Sequence, residues 1–121
     1  MNIEIKQGGE VTIVEISGSV DSLTADALRS ALATEVEADR VRLVADFSGV
    51  EYTSSAGLRA LLATLKDARR QGGDLRLAAV RPGVRKVLEL SGFTSILKIF
   101  TDVPAAVASF VPDAAGSAAR A

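Results

Sequence analysis

Residues 41–73 read VRLVADFSGVEYTSSAGLRALLATLKDARRQGG, and this stretch decides the fold. Its first seven residues, Val41 to Phe47, are rich in β-branched and apolar side chains, which predicts a strand. Ser48 to Thr53 then reads as a connection. From there the spacing changes. Leu58, Leu61, Leu62, Leu65 and Ala68 recur at three and four, the period of one helix face. Arg59, Lys66, Arg69 and Arg70 fall largely off that face, with Asp67. The pair Gly72-Gly73 stops the helix. A strand feeding a helix of this length is half of a βαβ unit, and such units need a parallel partner strand.

The flanks supply partners. Residues 2–6 (NIEIK) alternate in polarity and residues 11–17 (VTIVEIS) are β-branched, with Gln7-Gly8-Gly9-Glu10 as the turn of a hairpin. Gly18 to Ser22 reads as a loop with helix-start chemistry, and Ala25, Leu28, Ala31, Leu32 and Val36 mark a first helix. After Gly73, residues 75–80 (LRLAAV) predict a strand. Val84, Val87 and Leu88 predict a third helix ending near Ser91-Gly92. Residues 96–100 (ILKIF) predict a last strand, and a short helix follows from Pro104 to about Phe110. The order β-β-α-β-α-β-α-β-α predicts an α/β fold: a single mixed, mostly parallel sheet with an antiparallel N-terminal hairpin at its edge. One domain is expected over residues 1–110, and an Ala-, Gly- and Ser-rich tail, frayed, over 111–121.

Composition removes whole classes of function. With 14 Lys+Arg against 15 Asp+Glu there is no basic excess for nucleic acid. There is no His and no Cys, so neither a His-based triad nor a Cys/His zinc site can be built, and no cofactor or metal is expected. No apolar run approaches the roughly 20 residues of a membrane span, and the N-terminus lacks the marks of a signal peptide. A cytoplasmic protein with no membrane partner is the expectation.

In parallel sheets, ligands gather where strands run into helix N-termini. Two segments meet that description: Gly18 to Ser22, and Tyr52-Thr53-Ser54-Ser55-Ala56-Gly57. Three successive hydroxyls at a helix entrance read either as caps for the orphan N–H groups, for which one Ser suffices, or as a special role for Ser55. Gly57, in the first turn, costs roughly 1 kcal/mol against Ala. It points either to close packing of helix on strand or to something approaching the backbone. Asp21 reads either as the N-cap of the first helix or as an acidic neighbour of the hydroxyl cluster.

Three ordered segments resemble the STAS domains of bacterial anti-sigma factor antagonists. They are residues 46–58 (DFSGVEYTSSAGL), residues 17–24 (SGSVDSLT) and residues 81–93 (RPGVRKVLELSGF). The resemblance spans about residues 1–110. It implies phosphorylation at Ser55, with Ser54 as the lesser candidate because the family's Asp before the phosphosite is Ser54 here. It also implies a partner surface of Asp21, Ser22, Thr53, Ser54, Ser55, Gly57, Leu58 and Arg59. The implied partners are an anti-sigma factor Ser/Thr kinase, bound in the unphosphorylated state so that the sigma factor is released, and a PP2C-type phosphatase that resets the switch. The chain is then no enzyme; its oligomeric state, monomer or weak dimer, is not set by the sequence. A non-sigma output such as secretion control, or a scaffold, transporter-associated or nucleotide-binding STAS protein, is the alternative. Catalysis at Ser55 is disfavoured by the missing base and the missing Gly-x-Ser-x-Gly elbow. Nucleotide binding lacks a Gly-x-x-x-x-Gly-Lys-Ser/Thr loop.

Overall fold

The computed structural model describes residues 1–110, so the tail expected over 111–121 lies outside the described residues. The elements are β1 (Asn2–Gly8), β2 (Val11–Val20), α1 (Ala25–Glu37), β3 (Arg42–Thr53), α2 (Ser55–Arg70), β4 (Asp74–Ala78), α3 (Pro82–Leu90), β5 (Lys98–Phe100) and α4 (Val103–Phe110), with a 3₁₀ turn at Phe93–Ser95. The sheet order is β1-β2-β3-β4-β5. β1 runs antiparallel to β2 and the remaining pairs are parallel. The expected mixed sheet with its antiparallel edge is therefore the fold of the chain.

The two faces of the sheet carry separate cores. On one, Val14, Ile16, Leu43, Ala45, Leu75 and Leu77 meet Leu28 and Leu32 of α1, Leu61 and Leu65 of α2, and Leu88 of α3. Sequential strands joined by crossovers of one hand place α1, α2 and α3 on the same face. α4 covers the other, where Ala106 joins Val11, Val44 and Ala78. The lone carboxylate at the N-terminal end of β4, Asp74, is buried and accepts from Arg69 Nε at 2.9 Å and Arg76 Nε at 3.0 Å.

Several boundaries differ from the sequence reading. β2 continues through Gly18 to Val20, and β3 through Ser48 to Thr53, where a loop and a connection were expected. The cause is pairing: Ser17 faces Gly49, Gly18 faces Val50, Ser19 faces Tyr52 and Val20 faces Thr53, with register shifts between Glu15 and Ser17 and between Gly18 and Ser19. Gly18, Ser19 and Gly49, which resemble loop residues, are paired strand residues, and the extra residues of the two bulges lie on β3, at Phe47-Ser48 opposite Ile16 and at Glu51. Gly49 makes this possible, since a Cβ there would lie 2.7 Å from Ser17 Cβ. β4 stops at Ala78 rather than at 80, because Ala79 adopts φ 57°. β5 begins at Lys98 rather than 96, because Ile96 and Leu97 still belong to the preceding turn: the Leu97 amide closes an α-turn onto the Phe93 carbonyl at 2.8 Å. α2 ends as the double glycine suggests. Gly72 takes φ 87° and the Gly73 amide donates back to the Ala68 carbonyl at 2.8 Å.

Candidate functional site

The long β2–β3 pairing delivers two segments side by side at the C-terminal end of the sheet. The Ser54 amide donates to the Val20 carbonyl at 2.8 Å, tying the entrance of α2 to the last residue of β2. Asp21, directly after Val20, builds a turn by accepting. Its Oδ1 takes the amides of Leu23 at 2.9 Å and Thr24 at 3.0 Å, and its carbonyl takes that of Ala25 at 2.9 Å. Thr24 Oγ1 accepts from the Asp21 amide at 2.9 Å and donates to the Ser19 carbonyl at 3.0 Å. Thr24 stands at the boundary of α1 but its side chain makes no cap bond; Asp21 does the capping, its side-chain oxygen taking the amides two and three residues on, in line with the cap reading above. It organises the turn ahead of the helix. The Leu23 amide, followed by the Thr24 amide and hydroxyl, holds the Asp21 carboxyl below its usual range, against an opposing contribution from burial.

The three hydroxyls have three different surroundings. Thr53, the last residue of β3, is buried. Ser54 is the N-cap of α2, extended at φ −92°, ψ 174°, and its Oγ accepts from the Gly57 amide at 3.2 Å. Ser55 is the first helical residue and is exposed, and capping is done by its neighbour. Gly57 is buried against β2 and β3: a Cβ there would meet Thr53 Oγ1 at 2.5 Å and Val20 Cγ1 at 2.7 Å. This supports the packing account of the glycine. Leu58 is 7% exposed and belongs to the core. Thr53, Gly57 and Leu58 thus shape the surface from behind, whereas Ser22, Ser55 and Arg59 present their side chains to solvent and Asp21 and Ser54 are half-buried.

Ser22 and Asp26 of the first segment face Ala56 and Arg59 of the second across a groove of about 290 Å³, with Arg29 at its side. Arg29 reaches Asp67 of α2 at 3.9 Å. The groove therefore offers both signs of charge and the Ser22 hydroxyl, and the exposed Ser55 directly precedes its Ala56 wall. Sequence reasoning missed Leu23, which is 88% exposed on the Asp21 turn, and Tyr52, which is 53% exposed on β3. The available signal for Leu23 was its position outside the α1 periodicity that Leu28 and Leu32 define. Tyr52 was read as part of a connection, so its outward strand position was hidden.

Among the described residues the site is thus an exposed serine at the start of α2, beside an open groove on an α/β sheet. Comparison with known proteins gives the fold its family. The chain belongs to the STAS domain family, whose description matches residues 2–106. It is 40% identical over 95 residues to BtrV of Bordetella bronchiseptica, described as an anti-sigma factor antagonist, covering 78% of this chain and 82% of that one. It is 30% identical over 99 residues to the anti-sigma-B factor antagonist of Bacillus subtilis, covering 82% and 90%. Among solved structures, an anti-sigma factor antagonist from Mycobacterium paratuberculosis superposes with a TM-score of 0.82 at 28% identity, covering 89% of this chain and 92% of the other. Among the described residues no helix is long and apolar enough to cross a membrane.

Proposed function

We propose that this chain is an anti-sigma factor antagonist that binds an anti-sigma factor Ser/Thr kinase through the Asp21 turn and the first turn of α2. Phosphorylation of Ser55 by that kinase ends the complex, and a PP2C-type phosphatase restores it. The single observation carrying this reading is the exposed Ser55 at the first position of α2, freed from capping by Ser54. The names of the relatives support the same role.

The sign of the switch follows from electrostatics. A phosphate adds about −1.5 to −2 charges. At a helix N-terminus within this chain that charge is favourable by about 0.3–1 kcal/mol, so the domain stays folded. In a packed interface the same dianion lacks a compensating partner, at a cost on the order of 3–5 kcal/mol. At about 1.4 kcal/mol per factor of ten, affinity falls roughly a hundred- to a thousand-fold. Release without refolding is the expected behaviour. The test is titration of the cognate anti-sigma kinase with the phosphorylated and unphosphorylated forms. Equal affinities overturn the reading.

A further inference from the structure

A larger groove, of about 550 Å³, lies along β5, at the opposite edge of the sheet order from the β1–β2 hairpin. Its wall is the run from Thr94 to Phe100, with Arg69 of α2 and Arg85 of α3 beside it. Arg69 marks the start of the strand, where its Nη2 donates to the Ile96 carbonyl at 2.8 Å. Arg85 marks the other end. α3 begins just after β4 stops, and β5 runs parallel to β4, so the first turn of α3 stands level with the C-terminal end of β5.

Three features coincide there. The first is charge. Arg69, Lys98 and Arg85 line the groove and no carboxylate does, in a chain whose net charge is −1. Asp74 engages the Arg69 Nε from its buried side, and Glu89 approaches Arg85 only to 3.6 Å with both side chains half exposed. Lys98 is exposed and has no ion-pair partner among the described residues. The second is apolar surface on both faces of the strand: Ile99 is half-buried against the core under α1–α3, on the face of Arg85, and Phe100 is half-buried against the α4 core, on the face of Lys98. The third is backbone. The Phe100 carbonyl accepts from the Ala79 amide on the β4 side at 3.0 Å. Backbone groups alternate along a strand, so the N–H and C=O of Ile99 point the opposite way, toward the open edge. β5 pairs with β4 alone among the described residues.

An edge lysine by itself serves to repel other strands. That purpose requires neither a groove nor apolar side chains on both faces, nor two arginines at the ends of the strand. We propose that the β5 groove is a docking site for an extended, acidic segment of a partner protein. Its backbone pairs with Ile99, and on each face of β5 it sets an apolar side chain and a carboxylate: against Ile99 and Arg85 on one face, and against Phe100 and Lys98 on the other. This site is separate from Ser55 and does not depend on how that serine is used.

The test uses the full chain and a fluorescein-labelled octapeptide of repeated Glu-Glu-Val-Val, which presents Glu and Val on both of its faces, followed by fluorescence polarisation. Repeated Ser-Ser-Val-Val and Lys-Lys-Val-Val peptides serve as controls. Saturable binding of the acidic peptide alone is expected. It should weaken as salt rises and fall at least about tenfold in Lys98→Glu/Arg85→Glu. The milder Lys98→Gln/Arg85→Gln pair covers the case in which charge reversal unfolds the chain. Amide shifts of the unaltered protein locate the contact without any variant: Ile99 and Arg85 move and Ser55 does not. The proposal is overturned by equal binding of all three peptides, by shifts centred on Ser55, by no saturable binding, or by complete displacement with inorganic phosphate at matched ionic strength.

Discussion

The Ser54 amide donates to the Val20 carbonyl at 2.8 Å, and through that bond the end of one strand sets the start of the neighbouring helix. The contact leaves no room for a side chain behind the first turn of α2. Gly57→Ala would place a methyl 2.7 Å from Val20 Cγ1 and 2.5 Å from Thr53 Oγ1. Overpacking of this kind costs about 1–3 kcal/mol, offset by up to about 1 kcal/mol of helix propensity. A net loss of stability is expected in urea unfolding. Combining it with Val20→Ala removes one of the two clashes, so the double variant should lose less than the sum of the singles. Strict additivity would show that the crowding lies elsewhere.

Adjacent serines should separate cleanly by their roles. Ser54→Ala removes the acceptor of the Gly57 amide and is expected to cost about 1 kcal/mol. Ser55→Ala removes an exposed hydroxyl, so a stability change within about 0.5 kcal/mol is expected. Under the proposed function, incubation with the kinase and ATP adds one phosphate to the unaltered chain and to Ser54→Ala, and none to Ser55→Ala. Intact-mass measurement reads this directly. Phosphate on Ser55→Ala would move the acceptor to another residue.

Much of this arrangement was legible in residues 41–73 because two periods meet there. The strand's β-branched run and the helix's Leu spacing each bury one face, and a pattern that specifies burial specifies the element. What stayed hidden depends on contacts between distant segments. Gly18-Ser19 and Ser48-Gly49 look like loops, yet they are strand because the two segments lie against each other, with the bulges taken up on β3. Gly57 reads ambiguously until Val20 and Thr53 are placed behind it. Likewise the choice of Ser54 rather than Ser55 as the cap is a matter of one extended backbone angle, which composition does not encode. Leu58 was grouped with the partner surface by its position in the motif, whereas its helical phase carries it into the core.

Asp21 gives a pH dependence with a definite sign. Its carboxyl is held below the usual 3.8, chiefly by the Leu23 amide. A carboxyl depressed in the folded state contributes stability above its unfolded value. That contribution fades as pH falls below about 3.8 and through the folded value. Asp21→Asn keeps an oxygen for the Leu23 and Thr24 amides but removes the titration. Urea unfolding between about pH 5 and pH 2 should show a shallower decline for the variant than for the unaltered chain. Parallel declines would mean that the turn does not sense the charge. Asp21→Ala separates the turn from the interface: intact kinase binding with lowered stability assigns the residue to structure alone.

Asp74 connects the C-terminal helix to the rest of the fold. Its two oxygens hold Arg69 at 2.9 Å and Arg76 at 3.0 Å, and it is 7% exposed. Arg76 in turn donates to Ser109 Oγ at 2.8 Å and lies 4.0 Å from the Phe110 ring centroid. Asp74→Ala leaves the nearly buried Arg76 without its counter-charge, a change that costs about 3–5 kcal/mol where both partners are enclosed. Arg69 is half exposed and rehydrates, which places the expected loss near about 3 kcal/mol. The loss should not be spread evenly. Freed of Asp74, Arg76 turns toward water and its hold on Ser109 and Phe110 loosens. Amide exchange in α4 should therefore accelerate more than exchange in α1. Asp74→Asn, which keeps the oxygen but drops the charge, is expected to fall between the two. Uniform acceleration across α1 and α4 would instead make Asp74 a support of the whole sheet rather than the anchor of one helix.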